Sequence, residues 1–266
     1  LSTPDLHLFV RDDGSSDGTV DLLNSFASQN PERTTIIRDG LGRLGALSNF
    51  SAVARQARGT YFAFADQDDI WHVNRLSTCL NRIMALENSC SLERPAMVHA
   101  DRRLIDANGF EIAPSYWATR GLHPKSFVRL ERHYSFCFAA GSTMLINGAL
   151  RDLALPVSFE ARMYDCWIEL VAHAFGSVDA IREPLVSHRR HGRNSTGPSR
   201  SNDTPEARRL AARAQRLLST WSIQRNIAKQ YFAQAQALKR RYGHHLDHTA
   251  LRRAFLARSP SHAWAV

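Results

Sequence analysis

The sequence predicts an α/β fold with a mostly parallel central sheet flanked by helices, followed by a helical carboxy-terminal extension. Three observations predict it. Up to residue 100, short apolar runs alternate with segments whose apolar residues recur at helical spacing, the pattern of strand–helix–strand units. Acidic loops follow two of the predicted strands, where open α/β sheets bind ligands. The charge is also divided. Residues 1–188 carry 18 Lys+Arg against 22 Asp+Glu, whereas 189–266 carry 16 against 3, so the net charge of +9 resides in the last part of the chain. At 266 residues and 44% hydrophobic composition, the chain can bury a full core. The expected division is an α/β domain over 1–197 and a basic helical extension over 204–266.

The first element is a strand, "LHLFVR", then a polar loop, "DDGSSDG", then a helix, "TVDLLNSFASQ". Asp17 is placed to cap that helix, because an Asp there accepts from backbone N–H groups that lack partners. An EF-hand does not fit the loop. Counting from Asp13 puts Ser15, Asp17 and Gly18 in register, but position 12 is Asn24, and a strand precedes the loop instead of a helix. Further strands are expected at "TTIIR", "TYFAFA" and "AMVHA", and helices at "ALSNFSAVARQA" and "HVNRLSTCLNRIMALEN". "IDANGFEI" reads as a hairpin turned by its "NG" pair. After "STMLIN" and "ALRDLALP" comes the helix "YDCWIELVAHAFG", stopped by Gly176, then two short strands, "SVDAIR" and "PLVSHR".

A polar linker, "HGRNSTGPSRSNDTP", leads to a long helix. Its heptad-like apolar stripe, interrupted by Gln224, steps by four and three through Leu210, Ala214, Leu217, Trp221, Gln224, Ala228, Tyr231, Ala235 and Leu238. Such a stripe packs on the main domain or on a partner helix. A second basic helix is expected at "ALRRAFLAR". The four cysteines, Cys79, Cys90, Cys137 and Cys166, lack metal-type spacing, so neither a zinc site nor a disulfide framework is indicated. A reducing compartment fits that usage, and no apolar run approaches a membrane span.

The chemistry concentrates in "FAFADQDDIW". Asp66, Asp68 and Asp69 repel one another unless a cation or a hydrogen-bonding ligand offsets them. Oxygen ligands at a strand end suit Mg²⁺ or Mn²⁺. Asp12 and Asp13 form a second acidic pair at the end of the first strand. A competing reading rests on Gly40, Gly42 and Gly45, which have the G-x-G-x-x-G spacing of a dinucleotide loop with Asp66 about 20 residues on. Asp39 intrudes at the start of that turn, and Asp68 and Asp69 are superfluous to it.

Together, "VRDDGSSDGT", "GRLGALSNF", "ADQDDIW", "CFAAGSTMLIN", "YDCWIELVAHAFG" and "HRRHGRN" resemble glycosyltransferase family 2, and within it bacterial rhamnosyltransferase-like members. The resemblance covers roughly residues 5–197 and implies the GT-A fold of nucleotide-diphospho-sugar transferases. It implies an inverting enzyme that moves a sugar, with rhamnose favoured, to a saccharide or lipid-linked acceptor in cell-surface polysaccharide synthesis. The family's first strand and helix, which precede the double-Asp loop, are expected to be missing here. By the same resemblance Asp12, Asp13, Asn49 and Asp66 contact the donor nucleotide, Asp68 and His191 hold Mg²⁺ or Mn²⁺, and Asp165 is the catalytic base. In "HRRHGRN", His188 stands where an aromatic is usual and Arg190 where a glutamine is common.

Two other functions compete: a non-catalytic scaffold that uses the basic helices, and a nicotinamide oxidoreductase. The expected location is the cytoplasm, with peripheral attachment to the inner face of the plasma membrane through the basic helices. No nucleic-acid recognition motif accompanies the charge.

Overall fold

In the computed structural model the described residues are 5–89, 94–124, 133, 136–191 and 209–245, and over 209–225 the description is of the helix backbone alone. The predicted "ALRRAFLAR" helix and the linker from Gly192 to Pro205 lie outside them.

Strand β1 (Leu8–Val10) pairs in parallel with β2 (Thr34–Ile36), joined by helix α1 (Thr19–Gln29). Asp17 organises the start of α1 from one position further out than a cap. Gly18 is the N-cap, while the Asp17 carboxylate accepts from the Thr19 N–H at 3.0 Å and from its hydroxyl at 2.5 Å. Helix α2 (Gly45–Gln56) then leads to β3 (Tyr61–Ala63).

β3 begins a six-stranded sheet that also contains β4 (Ile70–Trp71), β5 (Ala96–Ile105), β6 (Glu111–Ala113), β7 (Met144–Asn147) and β8 (Ser177–Arg189), in the order β3-β7-β5-β8-β4 with β6 beside β5. Only β5 and β8 run parallel there; β3–β7, β5–β7, β5–β6 and β4–β8 are antiparallel. The sheet is therefore mixed, not mostly parallel. The predicted alternation of apolar runs carries no strand direction, and β7 enters between β3 and β5 against both.

The two strands expected at "SVDAIR" and "PLVSHR" are one strand, β8. Its register against β5 shifts around Ala100 and Asp101, so that Ile181 pairs with Ala100 and Pro184 with Asp101. The irregularity accommodates Pro184, which has no N–H for a ladder. The expected hairpin forms between β5 and β6, with Gly109 at φ +92 and the Asp106 carboxylate accepting from the Asn108 and Phe110 N–H groups, and it leads into the one-turn helix α4 (Tyr116–Thr119).

Both faces of the large sheet are covered. Met97, Met144 and Ile146 face a cluster that takes in α5 (Gly148–Ala154) and α6 (Tyr164–Phe175), whereas Ala96, Val98, Ala100 and Leu145 face α3 (Arg75–Asn88) through Cys79 and Ile83. This alternation is the period-two pattern of a strand buried on both sides. Helix α7 (Arg209–Tyr242) joins the first cluster through Ala235, Ala237, Leu238 and Tyr242, and Tyr231 is also buried. The stripe thus packs on the α/β body from Tyr231 onward, while Ala228 is exposed.

Candidate active site

β3 ends at Ala63, and the chain turns through residues 66–69 into β4, which pairs with β8 so that Ile70 faces Ser187 and Trp71 faces Val186. That two-residue strand decides where the acidic loop sits, because it lays the loop against the end of β8. His188 Nδ1 is 2.9 Å from Asp69 Oδ1, and the Arg189 N–H donates to the same oxygen at 3.1 Å. His191 Nε2 is 2.8 Å from Asp68 Oδ2. The Arg189 guanidinium donates to the Asp68 carbonyl at 3.1 Å.

The third side of the site is the turn over residues 141–143 ahead of β7. Ser142 donates its hydroxyl to Asp69 Oδ2 at 2.7 Å, and the preceding Gly141 N–H donates to Asp165 Oδ2 at 3.1 Å. A Cβ on Gly141 would collide with the Tyr164 phenol, so only glycine fits this approach. Arg75, wholly buried, holds the turn from behind by donating to the Ser142 and Met144 carbonyls, with its guanidinium 3.6 Å above the Trp71 ring. Burial lowers that guanidinium to about 10.

The electrostatics are those of crowded carboxylates. Burial raises the Asp66 carboxyl to about 6, and the charges of Asp69, Asp165 and Asp68 add to the rise. Burial also raises Asp165, although the Cys166 and Gly141 N–H groups pull against it. In Asp69 burial opposes the charge, but His188, Ser142 and the Arg189 N–H outweigh it and hold the group low. Neighbouring carboxylates with separated protonation are a mark of functional sites.

Asp12 and Asp13 belong to a second cluster built around Arg11, which is buried. Its guanidinium donates to both oxygens of Asp39, to Asp13, to the Asn49 amide oxygen at 2.9 Å and to the Gly42 carbonyl at 2.7 Å. Asp13 also accepts from the Leu44 and Gly45 N–H groups at 2.6 and 2.8 Å. It therefore serves as the cap of α2, a helix start whose own N-cap residue makes no side-chain bond. This placement removes the dinucleotide reading of Gly40, Gly42 and Gly45, since the N–H groups that a pyrophosphate would use already hold a carboxylate. The Ser15 hydroxyl first, then the Ser15 and Gly14 N–H groups from which it accepts, keep the Asp12 carboxyl low. A cleft of about 260 Å³ opens here, lined by Arg11, Asp12, Asn24 and Asp39 among others.

The structure thus brings together Asp66, Asp68, Asp165 and His191. Among the described residues, no hydrogen bond or ion pair joins Asp12, Asp13 or Asn49 to them. Helix α2 is the connection: Asn49 bonds Arg11 on one side, and the Phe50 ring stacks on Tyr164 at 4.1 Å on the other, next to Asp165. Sequence reasoning missed the parts played by Asp69, Ser142, Arg75, Arg11 and Asp39. Arg75 and Ser142 carry no local signal, whereas the histidine at 188 was visible as a departure and proves to be the partner of Asp69.

Comparison with known proteins agrees with this architecture. Residues 2–147 match the model of glycosyl transferase family 2. An uncharacterised glycosyltransferase of Nostoc sp. is 27% identical over 199 residues, which is 72% of this chain and 58% of that protein. The chondroitin synthase of Escherichia coli is 25% identical over 193 residues, covering 72% of this chain and 26% of that protein. The chain thus spans little more than half of the first relative and about a quarter of the second. A crystal structure of residues 1–349 of S. aureus TarS in complex with UDP-GlcNAc superposes with a TM-score of 0.51 at 14% identity, over 74% of this chain and 54% of that one. It shares the central sheet flanked by helices. With more than half of its residues inside the family match, the chain belongs to glycosyl transferase family 2 and has the GT-A fold.

Proposed function

We propose that this chain moves a sugar from a nucleotide-diphosphate donor to a saccharide or lipid-linked acceptor, with inversion at the anomeric carbon. The observation that carries the reading is the clustering of Asp66 with Asp68, Asp69 and Asp165, whose charges all act on it, beside His188 and His191, which meet Asp69 and Asp68. The family relatives support it, as does the nucleotide sugar held by TarS.

The residues fit a divalent metal. Asp66 sits among three other carboxylates that raise it, a repulsion that a cation relieves. Asp68 and His191 would hold Mg²⁺ or Mn²⁺, and the ion, when bound, neutralises the departing diphosphate. The protein's own groups do the rest. Asp66, next along the loop, faces the ribose side. Asp12, at the mouth of the Arg11 cleft, accepts from the nucleoside, and Asp13 and Asn49 shape that cleft through Arg11 and α2. Asp165 takes the proton of the attacking acceptor hydroxyl, and burial supports that role by raising its basicity. Attack from the face opposite the diphosphate inverts the centre.

Rhamnose as the sugar rests on the motif resemblance alone. Attachment of the basic carboxy-terminal residues to an anionic cytoplasmic membrane surface belongs to the same proposal, and salt-sensitive vesicle binding tests it. None of the described helices is long and apolar enough to cross a membrane.

The deciding experiment titrates the protein with a panel of nucleotide-diphosphate sugars with and without Mn²⁺. Saturable, Mn²⁺-dependent binding of one donor, followed by transfer to an acceptor saccharide, is expected. Absence of donor binding across the panel would favour a scaffold and sink the enzymatic reading.

A further inference from the structure

We propose that Cys137 and Cys166 form, together with Asp165, a site for a soft divalent cation of the Zn²⁺ class, and that filling it withdraws the Asp165 carboxylate from sugar transfer. The spacing of these cysteines in the sequence carries no such signal. In the fold, the two Sγ atoms and a carboxylate oxygen of Asp165 all lie within 4.8 Å of one another. With Zn–S bonds of about 2.3 Å and Zn–O bonds of about 2.1 Å, tetrahedral ligands stand roughly 3.5–3.8 Å apart. Small closing movements of the three side chains therefore suffice. Three protein ligands leave the fourth position to water, the arrangement of an open zinc site.

The surroundings suit that charge. Two thiolates and a carboxylate bring three negative charges, and a divalent cation leaves one. Arg162, whose charge acts on both cysteines, and the start of α6, where Asp165 and Cys166 sit in the first turn, offset the remainder. The two thiol protons pass to solvent on binding.

The ligands are also held in place from outside. The Cys137 N–H donates to the Tyr231 hydroxyl at 2.9 Å, and Arg162 donates to the same oxygen at 3.0 Å. Gln234, wholly buried on α7, accepts from the Arg162 N–H at 3.1 Å and donates to the Cys166 carbonyl at 3.2 Å. Outer contacts of this kind orient ligands and tune affinity. The chemistry differs from that of the neighbouring acidic cluster: its carboxylates, Asp68 among them, suit Mg²⁺ or Mn²⁺, whereas thiolates select Zn²⁺. Asp165 belongs to both, which couples them. The cation site stands on the geometry of the three ligands; its effect on transfer rests on the reading of Asp165 as the base.

The test titrates the reduced full chain with Co²⁺ in excess Mg²⁺. A thiolate-to-Co²⁺ charge-transfer band that saturates at one equivalent and is bleached by Zn²⁺ is expected. The band should persist in Asp68→Ala and vanish in Cys137→Ser and Cys166→Ser. Cys166 is buried, so if its variant does not fold, Cys137→Ser in the half-buried loop carries the result. No band, or a band that survives in both cysteine variants, overturns the site. So does a Cys137–Cys166 disulfide in oxidised protein combined with no cation uptake under reductant. Zn²⁺ added over excess Mn²⁺ is expected to lower transfer by roughly 100-fold, the low end of what a general base contributes, and to spare Cys137→Ser. Transfer undiminished at saturating Zn²⁺ overturns the coupling. A cation band in a protein that transfers no sugar upholds the site and refutes the enzymatic reading instead.

Discussion

Asp68 Oδ2 and His191 Nε2 meet at 2.8 Å across 123 residues of sequence. The contact exists because β4 lies against β8, which brings a loop after the third strand to the end of the last one. A carboxylate and an imidazole at that separation are placed to share one cation. Asp68→Ala and His191→Ala are each expected to weaken Mn²⁺-dependent donor binding by more than about 100-fold, beyond the roughly 10–100-fold cost of losing an outer partner. Calorimetric titration at fixed Mn²⁺ checks this, and normal affinity in either variant removes that residue from the metal.

His188 acts one step further out. Its ring meets Asp69, whose side chain has no exposed surface. His188→Ala leaves Asp69 with Ser142 and the Arg189 N–H, so a loss of about 1–3 kcal/mol in stability is expected. Urea unfolding measures it. His188→Gln, which can donate to the same oxygen, should restore most of the loss.

Asp165→Asn keeps the shape of the side chain and one of its two acceptor oxygens, so that it holds the bond from either the Gly141 or the Cys166 N–H group but not both, while removing the base. Transfer is expected to fall by about 10²–10⁴-fold, with donor affinity nearly unchanged. Turnover near the wild-type rate would take the proton from some other group.

Arg11 concerns the first acidic loop. Arg11→Ala removes the shared partner of Asp13, Asp39 and Asn49. Both carboxylates keep some solvent contact, so the expected cost is about 2 kcal/mol, below that of breaking a fully buried pair. Thermal unfolding reports it, and Arg11→Lys should recover only part, since one ammonium cannot reach all five acceptor oxygens.

A pH dependence follows from two histidines away from the pocket. Burial lowers His99 to about 4 and His173, whose ring stacks on His133 at 3.6 Å, to about 2. Both folded values lie below the ordinary unfolded value of about 6.5. The unfolded chain therefore binds more protons below that pH, and stability falls as pH drops, by up to about 1.4 kcal/mol per unit for each histidine. Above about pH 7 the contribution is complete. His173→Phe, which keeps a ring on His133, should remove one proton's worth of slope between pH 6 and 4. An unchanged slope in denaturant titrations would contradict it.

The family resemblance pointed to "YDCW" and "HRRH", while by itself the sequence determined which segments are strands and helices through most of the α/β body and marked the crowded carboxylates of "DQDD" as a candidate site. Those are properties of apolar period and of costly charge, and both are written locally. Strand direction, the continuity of β8 through Pro184 and the brief β4 were decided only in three dimensions, because pairing is chosen by partners distant in the chain. The same holds for roles. Asp13, expected at the donor, also caps α2; Arg75 looked like an ordinary helix residue and supports the turn that holds Asp69 and Asp165. Cys137 and Cys166, unremarkable at their spacing, come together because the Phe138 and Ala139 N–H groups donate to Glu169 of α6 and because Tyr231 and Gln234 of the last helix hold both segments. A side chain's type limits what it can do, but its partners select among those possibilities, and partners are set by packing.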